Sequence, residues 1–151
     1  MPVIIVGADT RLGPAVIDAL TMRDGEIRAF VSAVEELDRL RARGVKTAVG
    51  DISDGSHVGG AALHAFAAVL LAEAATDDRE RAFAATPDAV YAQWADGLRD
   101  AGVTRAIWVS DDPIPQTIRD AVAETARVRV ADRPPSEVAR EVAEKDESPT
   151  V

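Results

Sequence analysis

Two glycines near the start of the chain have the spacing of a turn that binds phosphate. Gly7 and Gly13 bound a turn that directly follows the apolar run 3–6, which is typical of a strand buried on both faces of a parallel sheet. Glycines in such a turn let backbone N–H groups approach a pyrophosphate, and the positive end of a following helix stabilises its charge. Pro14 and the apolar spacing of Leu12, Val16, Ile17 and Leu20 predict that helix.

The turn departs from the common G-x-G-x-x-G pattern. The middle position of that pattern is glycine so that the backbone can approach phosphate, whereas Gly7 is followed here by Ala8, Asp9 and Thr10. Asp9 also brings a negative charge to a turn that would receive negative phosphates. A buried strand-to-helix corner can use the same glycines without any ligand, so the turn alone leaves both interpretations open.

Composition excludes several classes of function. With 151 residues and 47% hydrophobic content, the chain is long enough to bury one core. The net charge of -9 disfavours binding to nucleic acid and to anionic membrane surfaces, because both need concentrated positive charge. No apolar run is long enough to span a membrane, and the N-terminus lacks the basic region of a signal peptide. We therefore expect a cytoplasmic protein, and the richness in arginine and alanine suggests a bacterial origin.

Apolar runs of strand length alternate with amphipathic stretches along the chain. This alternation predicts an α/β fold with a doubly wound, Rossmann-like parallel sheet of strand order 3-2-1-4-5 and a sixth strand at one edge. We expect one domain over residues 1–146 and a frayed tail over residues 147–151. The predicted strands are 3–6, 26–31, 45–49, 67–71, 105–109 and, at the edge, 128–130.

Helix signals separate these strands. Ser32 and Glu35 have the spacing of a capping box, and Asp54 can cap a third helix. Pro87 opens a longer helix that ends at Gly102. A last helix is predicted over 136–144. The charged, alanine-rich segment 76–85 has no clear period and is predicted to be an exposed loop or a short helix.

Three motifs, in order, carry a family resemblance. They are the turn Gly7–Gly13, Gly50-Asp51-Ile52 after the third strand, and the segment from Gly102 to Ser110. In this order they resemble the atypical short-chain dehydrogenase/reductase and NmrA-like NAD(P)-binding proteins. The resemblance covers roughly residues 1–111, and the order of three motifs is more specific than any one of them.

The resemblance implies a dinucleotide site and its residues. Asp51 and Ile52 would lie beside the adenine, although Asp51 could equally cap the next loop. Ser32 holds the position after the second strand, where an acidic residue would accept ribose hydroxyls or an arginine would pair a 2'-phosphate, so the cofactor is NAD or NADP. The residues implied to line the pyrophosphate loop are Gly7, Thr10, Arg11, Leu12 and Gly13.

The catalytic motif of the family's reductases is absent. Those enzymes use Tyr-x-x-x-Lys, in which the lysine lowers the tyrosine pKa so that the phenol can exchange a proton with a carbonyl substrate. Tyr91 is the only tyrosine, Ala95 stands four residues later, and Tyr91 precedes the fifth strand. Ser110 matches the family's serine but more simply caps a strand end. We predict no catalytic residue and no metal site.

Three functions remain as hypotheses. The first is a compact NAD(P)-binding protein without reductase chemistry, which acts as a cofactor-responsive or interaction module. The second is a small NAD(P)H-dependent oxidoreductase that transfers hydride to a flavin or quinone-like acceptor. The third is a Rossmann subunit that binds no nucleotide and contacts a protein partner or a second copy of itself.

Overall fold

The computed structural model describes residues 1–151 and contains one sheet of six strands, all parallel. The strands lie in the order β3-β2-β1-β4-β5-β6, as the sequence predicts for the first five and for a sixth at the edge. They are β1 (Val3–Val6), β2 (Ile27–Val31), β3 (Lys46–Val49), β4 (Ala67–Leu71), β5 (Arg105–Val109) and β6 (Glu124–Val128).

Helices connect the strands and cover both faces of the sheet. They are α1 (Gly13–Leu20), α2 (Leu37–Ala42), α3 (Gly55–Ala62), α4 (Pro87–Ala101), α5 (Gln116–Ala121) and α6 (Pro135–Glu147), with short 3₁₀ turns at Val34–Glu36 and Ala72–Ala75. None of these helices is both long enough and apolar enough to cross a lipid bilayer.

The core has two layers, one on each face of the sheet. Side chains alternate between the layers along each strand, since successive residues point to opposite faces. Trp108 packs in one layer with α3, α4 and α5, whereas Ile107 and Val109 pack in the other with α1, α2 and α6. Trp108 therefore faces the opposite side of the sheet from its two neighbours along β5. Strands β1, β4 and β5 are buried along their whole length.

Two helix starts show where the capping predictions held and where they failed. Asp54 caps α3 as predicted, because its carboxylate accepts a hydrogen bond from the His57 N–H at 3.3 Å. The capping box of Ser32 and Glu35 is wrong. Helical structure begins at Val34 after Ala33, with no side-chain cap, and the Ser32 hydroxyl instead accepts a hydrogen bond from Arg79.

The edge strand lies earlier than predicted. Residues 124–128 pair with β5, from Arg105 opposite Glu124 to Val109 opposite Val128, whereas the prediction began at residue 128. An edge strand is partly solvated, so it tolerates polar residues such as Thr125 and Arg127, and it gives no continuous apolar run.

A buried arginine joins the start of β5 to the end of α6. Arg105 is 1% exposed, and its Nε donates to Glu124 at 2.7 Å. Its Nη1 donates to the carbonyl oxygens of Lys145 (2.8 Å), Asp146 (3.1 Å) and Ser148 (2.6 Å), and its Nη2 to that of Pro149 at 3.4 Å. Those carbonyls lie in and just beyond the last helical turn, where they have few partners within the helix. The guanidinium therefore caps the negative end of α6.

Candidate functional site

The candidate site lies at the carboxyl ends of β1 and β4. These strands are neighbours at the centre of the sheet, and the chain proceeds outward from them in opposite directions, to β2 and β3 on one side and to β5 and β6 on the other. In open α/β sheets, this reversal of strand order leaves a crevice where ligands bind.

The turn after β1 is fixed by backbone hydrogen bonds and by close packing. Gly7 has a φ of +86°, a left-handed conformation that favours glycine, and a Cβ there would come within 2.7 Å of the Ala74 Cβ. The N–H groups of Gly7 and Ala8 donate to the Phe30 carbonyl at 3.0 and 3.3 Å. The turn is thereby anchored to the end of β2.

Gly13 brings α1 directly against this turn. A Cβ at Gly13 would lie 1.8 Å from the Ala8 carbonyl oxygen, so no larger residue fits in this arrangement. The Gly13 N–H donates to the Thr10 carbonyl at 3.1 Å. The N-terminus of α1, with its partial positive charge, therefore lies beside the turn.

The other residues assigned to the pyrophosphate loop differ in exposure. Thr10 is 6% exposed, and its hydroxyl has no hydrogen-bond partner within the protein. The Arg11 side chain is 57% exposed and lies 3.9 Å from the Glu73 carboxylate. Leu12 is buried and lines the cavity beside the turn. The turn thus presents a cation, an unpaired hydroxyl and an apolar side chain around one helix end.

Asp9, the unexpected acid in this turn, is held by three hydrogen bonds. One carboxylate oxygen accepts the N–H groups of Ser32 and Ala33 at 2.9 and 3.0 Å. The other accepts Arg79 Nη1 at 2.8 Å. The side chains of Asp9 and Arg79 are only 7% and 12% exposed, so the ion pair is largely shielded from water. Its negative charge is neutralised within the protein.

Arg79 belongs to residues 77–83, here called the strap, which cross the carboxyl edge of the sheet. The strap is not the short helix that the sequence allowed, and it is only partly exposed because residues 77, 79 and 81 point inward while 78 and 80 face solvent. Arg79 also donates to both carboxylate oxygens of Asp77 at 2.8 Å. Burial lowers the pKa of Arg79, but the hydrogen bonds that it donates to Asp77 and Asp9 outweigh burial and raise that pKa above its ordinary value.

The far end of the strap is bound to the residues after β3. Asp51 accepts the Ala82 N–H at 2.8 Å through one oxygen, and the N–H and hydroxyl of Ser53 at 2.8 and 2.6 Å through the other. Burial raises the pKa of Asp51, but these hydrogen bonds lower it by more, so that it lies below its ordinary value. The Ser53 hydroxyl in turn accepts the Phe83 N–H at 3.0 Å.

Ile52 lies in the hydrophobic core. Its side chain is fully buried, and its carbonyl oxygen accepts the indole N–H of Trp94 at 2.8 Å. The structure therefore brings Ser32 and Asp51 to the same edge of the sheet, under the two ends of the strap, but it places the side chain of Ile52 beneath that edge. Nothing in the sequence distinguishes a buried Ile52 from one that lies beside a ligand.

On the other side of the turn lies a cavity of about 170 Å³. Ligand pockets are commonly about 300–1,000 Å³, so this space suits a ring-sized part of a ligand. Its lining residues come from the turn after β1, the segment after β4, α4, the end of β5 and the segments after β5 and β6. They are Leu12, Ala72, Glu73, Thr76, Tyr91, Val109, Ser110, Asp111, Asp112 and Val130.

Tyr91 is the aromatic residue of this cavity, and sequence reasoning found no role for it. Its ring packs edge-on against Trp108, with centroids 4.8 Å apart, and it is 6% exposed. Burial raises the pKa of Tyr91, and the charges of Asp112 and Asp88 add to the effect. Tyr91 lines the cavity, and its raised pKa keeps the phenol protonated at neutral pH.

Ser110 caps the end of β5. Its hydroxyl accepts the Asp112 N–H at 3.0 Å, and the Asp112 carbonyl accepts the indole N–H of Trp108 at the same distance. Asp111 accepts the N–H groups of Val130 and Ala131, and these bonds lower its pKa. The capping interpretation of Ser110 agrees with these contacts, and the structure also places the residue in the cavity with Tyr91.

Comparison with known proteins bears on the fold. No protein-family model matches the sequence, and no curated protein matches it. Among solved structures, Citrobacter sp. triphenylmethane reductase is 17% identical, with a TM-score of 0.76 over 95% of this chain. The anaerobilin reductase ChuY of Escherichia coli O157:H7 is 15% identical, with a TM-score of 0.71 over 99% of this chain. The chain has the fold of these reductases.

The resemblance that the three motifs carry is thus confirmed for the fold. The E. coli quinone oxidoreductase QOR2 is a further match, 18% identical with a TM-score of 0.64 over 85% of this chain. Triphenylmethane reductase was solved complexed with NADP(H), and QOR2 complexed with NADPH. This chain spans 64% of triphenylmethane reductase, 48% of QOR2 and 92% of ChuY.

Proposed function

We propose that the protein binds a nicotinamide dinucleotide, NAD or NADP, at the carboxyl ends of β1 and β4. The observation that carries this proposal is the contact of Gly13 with the Ala8 carbonyl, which holds the N-terminus of α1 against the glycine turn. Backbone N–H groups and the helix dipole there suit a pyrophosphate. The cavity beyond Leu12 suits the nicotinamide ring, and nicotinamide complexes of structures with the same fold support the proposal.

The role that fits this site best is that of a cofactor-responsive or interaction module. No lysine stands near Tyr91, since Lys46 lies on β3 and Lys145 on α6, and the Tyr-x-x-x-Lys chemistry of typical reductases has no counterpart. The acidic side chains of Glu73, Asp111 and Asp112 around the cavity also disfavour anionic substrates. Binding without turnover is the simplest consequence.

Thermal unfolding with NAD, NADH, NADP and NADPH tests the binding. A dinucleotide at 100 times its Kd is expected to add about 2.7 kcal/mol of stability, which raises the Tm by about 5–10 °C in a chain of this size. Arg11→Glu places a negative charge at the exposed edge of the turn after β1 and should reduce the increase in Tm that a dinucleotide causes. Arg140→Glu, an equal change of charge on the exposed face of α6, should not.

Two results would contradict the proposal. One is a Tm that none of the four dinucleotides changes. The other is an increase that ATP and GTP reproduce, because that result would indicate a site for nucleotides in general. A clear increase without NAD(P)H oxidation in the presence of flavin or quinone acceptors would favour the module over an enzyme.

The Tyr91 hydroxyl favours one alternative function, that of a small NAD(P)H-dependent oxidoreductase. A quinone accepts a hydride from the dihydronicotinamide ring at one oxygen or ring carbon and needs one proton to become the hydroquinone. A phenol that lines the cavity and stays protonated at neutral pH can donate that proton and regain it from solvent. The Ser110 hydroxyl lies in the same cavity and can orient the acceptor.

Tyr91→Phe separates this alternative from binding alone. The ring contacts with Trp108 and Trp94 are retained while the proton donor is lost. If the protein reduces quinones, we expect kcat to fall about 100-fold, the lower range for a lost general acid, with the Kd for NADPH unchanged. Stopped-flow absorbance of NADPH oxidation measures the rate. An unchanged kcat in the variant would exclude Tyr91 as the proton donor.

A further inference from the structure

Three hydrogen-bond donors beside the turn after β1 converge on one carboxylate of the protein itself. The donors are the Ser32 and Ala33 N–H groups, which follow β2, and the Nη1 of Arg79 from the strap. All three converge on the carboxylate of Asp9, at 2.9, 3.0 and 2.8 Å. The Ser32 hydroxyl, 3.3 Å from Nη1, completes the ring of polar groups.

These donors form the kind of site that binds a tetrahedral oxyanion. Paired backbone N–H groups at a turn and a planar guanidinium are the groups that hold phosphate in proteins. The site is shielded, since Arg79 is 12% exposed, and a second carboxylate, that of Asp77, fixes the guanidinium in place. It is therefore built before any ligand arrives.

The position of the site indicates which phosphate would reach it. Ser32 follows β2, the neighbour of β1, where the ribose of a dinucleotide lies when its pyrophosphate occupies the turn after β1. The adenine would then continue toward Asp51 at the end of β3, under the other end of the strap. A phosphate on the 2'-oxygen of that ribose would then lie toward Ser32 and Arg79.

We propose that Asp9 is a built-in occupant of a phosphate site, and that a ribose phosphate monoester such as that of NADP(H) competes with it for Ser32, Ala33 and Arg79. The proposal rests on the proposed function for the orientation of the nucleotide. A ribose that carries only a hydroxyl brings no charge to Arg79. Replacing the Asp9 carboxylate therefore gains it less binding energy than it gains a ribose phosphate. Asp9 thus weakens binding at this site and, by the same contact, holds Arg79 of the strap in place.

Binding of 2',5'-ADP, 5'-AMP and inorganic phosphate to purified variants, measured by calorimetry, tests this proposal without any nicotinamide. In Asp9→Asn the competing charge is gone, and we expect 2',5'-ADP to bind about 10-fold tighter than to the wild type, or about 1.4 kcal/mol. The Kd of 5'-AMP, which lacks the 2'-phosphate, should change by less than about 3-fold. Asp9→Ser removes the charge with a smaller side chain and serves if Asp9→Asn does not fold.

Arg79→Gln tests whether Arg79 binds the phosphate or only holds the strap in place. Combined with Asp9→Asn, it should abolish the gain for 2',5'-ADP. If Arg79 only held the strap shut, its loss would open the site and tighten 2',5'-ADP and 5'-AMP alike, which would overturn the proposal. Arg81→Gln is the matched control, because Arg81 lies on the same strap but binds Asp77 and the Ala74 carbonyl, away from Asp9.

The remaining outcomes are also decisive. No gain for 2',5'-ADP in a folded Asp9 variant overturns the proposal, even if NADH and NADPH both stabilise the wild type and the proposed function stands. If inorganic phosphate binds Asp9→Asn as tightly as 2',5'-ADP does, the claim that the site binds a ribose phosphate is overturned. A gain for 2',5'-ADP in a protein that binds no nicotinamide dinucleotide would support the anion site and refute the proposed function.

Discussion

Gly13→Ala is expected to destabilise the protein by at least about 3 kcal/mol, the upper range for an inserted methyl group in a packed site. The added Cβ would lie 1.8 Å from the Ala8 oxygen and 2.5 Å from the Ala8 carbonyl carbon. Both are backbone atoms of the turn, so no side chain can move aside. Relief requires α1 to separate from the turn, which removes the helix end from the phosphate site.

Thermal unfolding measures this effect, as a decrease in Tm of about 10 °C. Gly60→Ala is the matched control: Gly60 is exposed on α3, and no atom lies within 4 Å of its added Cβ. That change should raise stability by up to about 1 kcal/mol, since alanine favours a helix more than glycine. A Gly13→Ala variant as stable as the wild type would show that α1 does not contact the turn as described.

Arg105→Met is expected to cost about 3–5 kcal/mol of unfolding free energy, because three carbonyl groups lose a hydrogen bond to a charged donor, each worth about 1.5–3 kcal/mol. Glu124 is 30% exposed and can be solvated again, so its contribution is small. Most of the loss comes from the carbonyl groups of Lys145, Asp146 and Ser148, which lose a charged donor at the end of α6. The apolar stem of methionine preserves part of the packing.

Urea unfolding followed by circular dichroism measures that free energy. Arg140→Met is the control, because Arg140 is exposed on the same helix and a surface change of this kind stays within about 0.5 kcal/mol. If Arg105→Met lost no more than Arg140→Met, the hydrogen bonds to residues 145–149 would not stabilise the fold. Faster cleavage of the C-terminal residues by carboxypeptidase would accompany the expected loss.

The sequence predicted the central strands well because they are buried on both faces. The bounds of β1, β4 and β5 match the predicted strands 3–6, 67–71 and 105–109, since a strand whose two faces are both mostly apolar has no period that could be misread. The predicted position of β6 was wrong because this edge strand mixes charged and apolar residues. Pairing with β5, not composition, fixes its register.

The site was predictable in part for a similar reason. Gly7 and Gly13 act locally, through the backbone of one turn, so their spacing is visible in the sequence. Asp9 and Arg79 are far apart along the chain, and their contact depends on how the strap crosses the sheet. The signal that could have found it is the charge of Asp9 itself, because an acid in a buried turn needs a cation.

The clustering of the aromatic residues has a consequence for optical experiments. Trp94, Trp108 and Tyr91, which are all the tryptophans and the only tyrosine, lie in the same core layer, and Tyr91 also lines the cavity. Their emission therefore reports on the face covered by α3, α4 and α5 and is insensitive to the face covered by α1, α2 and α6. Coincidence of the fluorescence and circular dichroism transitions would then show that both faces unfold together.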